Sequence, residues 1–259
     1  MTYGTAFRFS DLFKPFQRLF VLASMVPSTN LAAQEVISDP IPAHFERLVS
    51  GFPNDCLAKG PEVRSVALTF DDGPSSVTRE VLKILKKHNA KATFFWQGQN
   101  LAKYPELVRR AISDGHELAN HSWDHTNSDQ LNNEQLWEEQ VFPTSQHFDS
   151  LYECKVQFFR PPYGSVSAEQ VKFLGEKGVR TVLWSLSTLD WDPDRNSTHE
   201  IVTRFKRELH PGAIVLLHDV DFEGTHQNML RGLEEIIAHG DSQHYEFVTL
   251  SSLLKPSNK

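Results

Sequence analysis

Residues 65–74 read Ser-Val-Ala-Leu-Thr-Phe-Asp-Asp-Gly-Pro, and this stretch decides the fold class. Ser65–Phe70 is an apolar run of strand length, and Gly73-Pro74 ends it at once. Asp71 and Asp72 are thereby left at a strand tip, which is where α/β folds build their sites. Neighbouring strand residues point to opposite faces, so one short backbone can aim the two carboxylates at different partners. Like charges this close push one pKa upward unless a cation intervenes. Alone, the same residues also read as a solvated turn.

Working outward, apolar runs alternate with amphipathic helical patterns. Further strands are predicted at Ala92–Trp96, His116–Ala119, Val156–Phe159, Arg180–Leu186, Ala213–Leu217 and Glu246–Leu250. Helices are predicted from Thr78 to His88, Pro105 to Gly115, Ser167 to Gly178, Ser197 to the Pro211-Gly212 stop, and His226 to His239. A longer helical pattern from Asn132 to Glu153 is expected to be interrupted near Pro143. Seven strands separated mostly by helices imply parallel pairing with right-handed crossovers. An open doubly wound sheet and a closed barrel both fit that count. Polar clusters at many strand ends favour the barrel, where they converge on one mouth.

The chain has 259 residues and a formal net charge of -7. That length suits one large domain or two small ones, and no basic run points to nucleic acid. No apolar stretch is long enough to span a bilayer. At the N-terminus, Arg8, Lys14 and Arg18 precede the apolar run Leu19–Val26, and Leu31-Ala-Ala-Gln34 follows. That order predicts a secretory signal peptide over 1–33, a mature start at Gln34, and a secreted or periplasmic protein. Residues 34–62 read as an irregular lead-in, 63–254 as the main domain and 255–259 as a tail. Cys56 and Cys154 admit one disulfide or two free thiols.

Four more polar clusters follow predicted strands. His121-Ser-Trp-Asp-His125 places two histidines four apart, sharing a face if the segment turns helically. With a carboxylate from Asp71 or Asp72 they make a two-His, one-carboxylate set suited to catalytic Zn²⁺ or non-haem Fe²⁺. The carboxylate comes first in the chain, which argues against iron. Arg160-Pro-Pro-Tyr-Gly164 stiffens a turn and presents an Arg that can hold a carboxylate charged. Leu216-Leu-His-Asp219 puts His218 at a buried strand tip, where it can act as a general acid. Trp184 to Asp192 adds Asp190 and Trp191 at another strand end. Each cluster alone also reads as an ordinary loop; all of them at strand ends do not.

Thr69-Phe-Asp-Asp-Gly-Pro74, His121-Ser-Trp-Asp-His125, Arg160-Pro-Pro-Tyr163, Leu189-Asp-Trp191 and Leu216-Leu-His218 together resemble the ordered motifs of polysaccharide deacetylases, the NodB-homology domains of carbohydrate esterase family 4. The resemblance spans about Val63 to Leu254. It implies a single-domain α/β fold, a distorted (β/α)7 barrel, and metal-dependent removal of acetyl groups from sugars. It also implies Asp71 as general base, and Asp72, His121 and His125 as metal ligands. Arg160 would orient Asp71, the Tyr163 amide would stabilise the oxyanion, and His218 would protonate the leaving amine. Leu216 and Trp191 would shape the acetyl pocket. Zn²⁺ is the expected metal, with Co²⁺ and Ni²⁺ as alternatives.

One position departs from the family's pattern. An Asp usually stands three residues before the Asp-Trp pair, and this chain has Ser187 there. Either the acid His218 titrates lower than in relatives, or Asp190 takes over its support. The expected partner is an acetylated polysaccharide or oligosaccharide, with peptidoglycan first and chitin oligomers second. An O-acetyl xylan esterase and a non-catalytic glycan-binding protein are the competing readings. A monomer is expected.

Overall fold

The computed structural model describes residues 41–222, 224 and 226–255. The predicted signal peptide, the start at Gln34 and the tail beyond Lys255 lie outside the described residues. The described residues belong to one unit, Val36–Lys259.

The elements in chain order are α1 (Ala43–Gly51), β1 (Cys56–Leu57), β2 (Ser65–Asp71), α2 (Thr78–Lys87), β3 (Ala92–Trp96), α3 (Gly98–Leu101), α4 (Pro105–Ser113) and β4 (Glu117–Asn120). They continue with α5 (Asn133–Gln135), a π-helical turn (Leu136–Val141), α6 (Phe142–Tyr152), β5 (Phe158–Phe159), α7 (Ala168–Glu176), β6 (Arg180–Val182) and β7 (Leu186–Ser187). The last are α8 (Thr198–Glu208), β8 (Ile214–His218), α9 (His226–Ser242), β9 (Glu246–Phe247) and α10 (Leu250–Leu253).

All pairings among the described strands are parallel, in the order β1-β6-β5-β4-β3-β2-β8-β7, with β9 added to β2. The expected distorted (β/α)7 barrel is thus realised as a sheet curled into a half-barrel and flanked by helices. The predicted strand Arg180–Leu186 is split in two. The reason lies at Val182 and Leu183, whose carbonyls accept from the Arg160 guanidinium, while Leu183 N–H turns to Leu57 and Ser185 N–H to Ile214. The lead-in is more ordered than its composition suggested: it supplies α1 and β1.

Strand phasing sorts the side chains. Val66, Leu68 and Phe70 of β2 join Val215 and Leu217 of β8 in the core beneath α2 and α9. Ala67, Ile214 and Leu216 belong to the other core, inside the curl, with Phe95, Leu183 and Trp184. Each of the buried Val, Leu, Ile and Phe side chains contributes roughly 1.5–3 kcal/mol. The alternation carries Thr69 and Asp71, and likewise His218, onto the inner face at the strand ends.

Two local expectations change. Thr78 begins α2 without capping it, because its hydroxyl accepts from Ser75 N–H and donates to the buried Asp219. The Asn132–Glu153 pattern is not broken at Pro143; it runs on through the π-helical turn. Cys56 and Cys154 are free thiols, and burial pushes Cys56 up to about 12.

Candidate active site

The Arg160 side chain organises one side of the mouth. It is 0% exposed and donates from Nη1 to Asp71 Oδ1 at 2.8 Å and to Thr69 Oγ1 at 2.7 Å. Nε and Nη2 reach the Val182 and Leu183 carbonyls, and the guanidinium lies 4.1 Å from the Phe95 ring centroid. Every direction of the fork is thereby occupied, and Asp71 is held against a cation that does not titrate in the working range.

Strand alternation does not separate the two aspartates. Asp72 lies just past the end of β2 at φ 75°, and that left-handed step turns its carboxylate back toward the mouth. His121 Nε2 then faces both carboxylates, 3.8 Å from Asp71 Oδ2 and 3.4 Å from Asp72 Oδ1. His125 Nε2 approaches Asp72 Oδ1 at 3.3 Å. One atom each from Asp72, His121 and His125 lies within 4.8 Å of the others. The histidines do not sit on a helical turn as their spacing suggested. They close a loop in which Ser122 (φ 66°) and His125 (φ 69°) are left-handed and His125 N–H bonds Ser122 Oγ.

The donor set fits a divalent cation. His121 Nδ1 donates to the Arg160 carbonyl at 2.8 Å, so in the neutral imidazole Nε2 is the nitrogen left free to ligate. Burial opposes the ionised Asp72, yet the two imidazoles hold its pKa well below the usual carboxylate range. Burial lowers His125 to about 4, which keeps it neutral. Burial also opposes a charged His121, but Asp71 and Asp72 outweigh it and raise its pKa. Four carboxylates are buried around this mouth, Asp71, Asp72, Asp190 and Asp219, against Arg160 and His218. Burial pushes Asp219 up to about 7, although Thr78, Trp96 and Gly73 all donate to it. Two imidazoles and one buried carboxylate whose ligand atoms lie within 4.8 Å of one another are a donor set for a single divalent ion.

On the neighbouring strand β8, where His218 stands in register with Asp71, Asp190 binds His218 twice. Oδ1 lies 3.0 Å from His218 Nδ1, and Oδ2 accepts the His218 backbone N–H at 2.8 Å. Burial opposes a charged His218, but Asp190, with Asp72 and Asp71 behind it, raises its pKa to about 9. Asp190 is itself steadied by Thr188 Oγ1 and, through its carbonyl, by Asn196. Arg204 spans the loop from behind, donating to the Thr188 and Arg195 carbonyls. Ser187 does none of this: it is 4% exposed and its Oγ lacks a hydrogen-bond partner among the described residues.

The remaining predicted residues fall on the same rim. Tyr163 is left-handed (φ 61°) and 46% exposed, with its ring 4.6 Å from that of His125. Leu216 is buried on β8, two residues before His218, and half-buried Trp191 follows Asp190. The structure thus brings Asp71, Asp72, His121, His125 and Arg160 into one connected cluster. It places Tyr163 beside that cluster, and His218 at the end of β8 in register with Asp71. Gln97, which donates to Asp72 Oδ1 at 3.0 Å, and Asp219 were not foreseen as contributors. Asp219 had a signal, since it directly follows His218; Gln97 had only its place after a strand.

Residues 58–182 match the family model for polysaccharide deacetylase. A peptidoglycan-N-acetylglucosamine deacetylase of Bacillus cereus is 35% identical over 196 residues, covering 75% of this chain and 70% of the relative. The peptidoglycan-N-acetylglucosamine deacetylase PgdA of Listeria monocytogenes is 37% identical over 203 residues, and the match spans 41% of its length. The crystal structure of the Bc1960 peptidoglycan N-acetylglucosamine deacetylase superposes with a TM-score of 0.73 at 33% identity, covering 79% of this chain and 94% of that one.

Proposed function

The chain belongs to the polysaccharide deacetylase family, carbohydrate esterase family 4, and from that membership we propose that it removes the acetyl group from N-acetylglucosamine units of a glycan, with peptidoglycan as the first candidate. It is a hydrolase of carbon–nitrogen bonds other than peptide bonds. The observation that carries the finer reading is the separate pairing of two titratable groups beside the Asp72–His121–His125 cluster. Asp71 is held by Arg160, and His218, its neighbour in register on β8, is held by Asp190.

Amide hydrolysis needs a base for water and an acid for nitrogen. Environments that push two titratable groups apart assign those tasks. Asp71, paired with the Arg160 guanidinium, accepts the proton of the attacking water as the water oxygen bonds the acetyl carbon. The Tyr163 backbone N–H faces the oxygen that gains charge. His218, protonated against Asp190, gives its proton to the sugar nitrogen as the carbon–nitrogen bond breaks, leaving acetate and a free amine. Leu216 and Trp191 enclose the acetyl methyl. Asp72, His121 and His125 would hold a divalent ion, Zn²⁺ by the chemistry of the donor set, with Co²⁺ and Ni²⁺ as alternatives. Such an ion supplies Lewis acidity toward a carbonyl oxygen and toward water.

Acetate release from peptidoglycan, chitin oligomers and acetylxylan, with and without chelator, tests the reading. We expect release from the N-acetylglucosamine polymers, loss with chelator and recovery with Zn²⁺. Release from acetylxylan alone would make the protein an O-esterase, and bound metal with no release from any glycan would make it a binding protein. Export belongs to the same proposal, and N-terminal sequencing of protein recovered outside the cytoplasm checks for a start near Gln34.

A further inference from the structure

We infer that Gln140 is a positioning residue for the His121–His125 loop, brought there by the π-helical turn Leu136–Val141; the inference rests on reading Asp72, His121 and His125 as a metal site. The loop between the two histidines contains two left-handed non-glycine residues, Ser122 and His125. Such a backbone persists only when its surroundings over-determine it. Four ties come from nearby strand ends and from the loop itself. Ser122 N–H bonds Asn120 Oδ1 at 2.8 Å, and His125 N–H bonds Ser122 Oγ at 2.9 Å. Gly98 and Gln99 N–H groups bond the Ser122 and Trp123 carbonyls at 3.0 and 3.1 Å.

The remaining tie comes from a helix outside every polar cluster of the sequence. Gln140 is 4% exposed, and its Oε1 accepts from Trp123 N–H at 2.9 Å and from Asp124 N–H at 3.4 Å. These are the two peptide groups midway between the histidines. One acceptor therefore pins the centre of the loop.

Helix register is what puts the acceptor there. Phe142 N–H bonds the Trp137 carbonyl five residues back, the mark of a π turn. Pro143 follows, and a prolyl ring in a regular α-helix collides with the carbonyl four residues back, here Glu139. The wider turn makes that room. It also inserts one residue, which rotates the preceding side chains by about 100° relative to those that follow. Asn120 fastens the turn to β4, the strand that leads into His121, by donating to the Val141 carbonyl at 2.8 Å. Thr144 Oγ1 closes it by donating to the Gln140 carbonyl at 2.8 Å.

The test is Co²⁺ titration of the chelator-stripped protein, followed by visible absorption, for the parent and for Gln140→Met, Gln140→Asn and Gln140→Glu. Met keeps the volume without the acceptor, and Asn keeps an acceptor that is one methylene short. Glu keeps an oxygen at the right reach. Removing groups that orient a ligand lowers metal affinity by about 10–100-fold. We expect that loss, with an altered absorption band, in the Met and Asn variants. The Glu variant is expected within about threefold of the parent. Thermal unfolding confirms that each variant is folded, and if the Met variant is not, the Asn variant decides. Parent-like binding by the folded Met or Asn variant would overturn the Gln140 role alone, as would a Glu variant as weak as the Met variant. A parent that binds no Co²⁺ or Zn²⁺ would overturn the metal-site reading and the inference with it.

Discussion

The two sides of the mouth are built in different ways. On the base side, Asp71 is paired with a side chain that is itself buried, locked at every nitrogen and permanently charged. On the side of the proposed acid, Asp190 holds His218 from a loop braced by Asn196 and Arg204. One pairing fixes a charge, and the other sets where a charge is lost. Substitutions on the base side should therefore change how much activity or stability remains. Those on the acid side should change the pH at which activity remains.

The largest effect is expected at the centre of the base side. Asp71→Asn removes the proposed proton acceptor and should lower kcat by about 10²–10⁴. Because Asp72, His121 and His125 are left intact, Zn²⁺ affinity measured by calorimetry should change far less. Loss of both together would mean that Asp71 belongs to the metal site and not to the base.

Arg160→Met breaks the same pair from the other end and leaves Asp71 buried without its cation. Breaking a buried pair in this way costs about 3–5 kcal/mol, read as a lowered midpoint in urea unfolding. A loss below about 1 kcal/mol would show that the pair is no more than a surface-like contact.

Asp190→Asn should act differently. His218 lies above its ordinary value, at about 9, chiefly because Asp190 outweighs burial. A raised folded-state pKa stabilises fully below the unfolded value of 6.5, and that contribution disappears as pH rises through about 9. The stability difference between parent and Asp190→Asn in metal-free protein should therefore be greatest below pH 6.5 and shrink toward pH 9 and above. In the active enzyme, the alkaline limb of kcat/KM should move to lower pH in the variant. Adding Ser187→Asp to Asp190→Asn should move it part of the way back. An alkaline limb that ignores Asp190 would separate His218 from the acid role.

How much of this was legible follows the range of the forces involved. The strand tips were readable because apolar runs and their Gly or Pro stops are local signals, and Asp71, Asp72, His121, His125, Arg160 and His218 all stand at them. The seven-strand pattern survived with one strand split, because the split is made by Arg160, a side chain from the loop after β5. The choice between a depressed His218 and a substitute carboxylate could not be made from spacing. It depends on the left-handed step at Leu189 (φ 56°) that brings Asp190 back under β8. Gln140 was hidden for a similar reason: the pattern around Pro143 reads as a break, and only the packed helix shows that one widened turn absorbs the proline.

The smallest effect is expected at Ser187. In the two-sided view this position has handed its task to Asp190, and its hydroxyl is buried without a hydrogen-bond partner among the described residues. A buried hydroxyl in that state opposes folding by about 1–3 kcal/mol in mutational terms, partly offset by the contacts of the oxygen atom. Ser187→Ala should therefore leave the alkaline limb in place and keep stability unchanged or raise it by up to about 1 kcal/mol. Removal of an engaged hydroxyl would instead lower stability by about 0.5–1.5 kcal/mol. If urea unfolding shows that loss, or the alkaline limb shifts, Ser187 is coupled to His218 after all. The acid side would then rest on two groups and not on Asp190 alone.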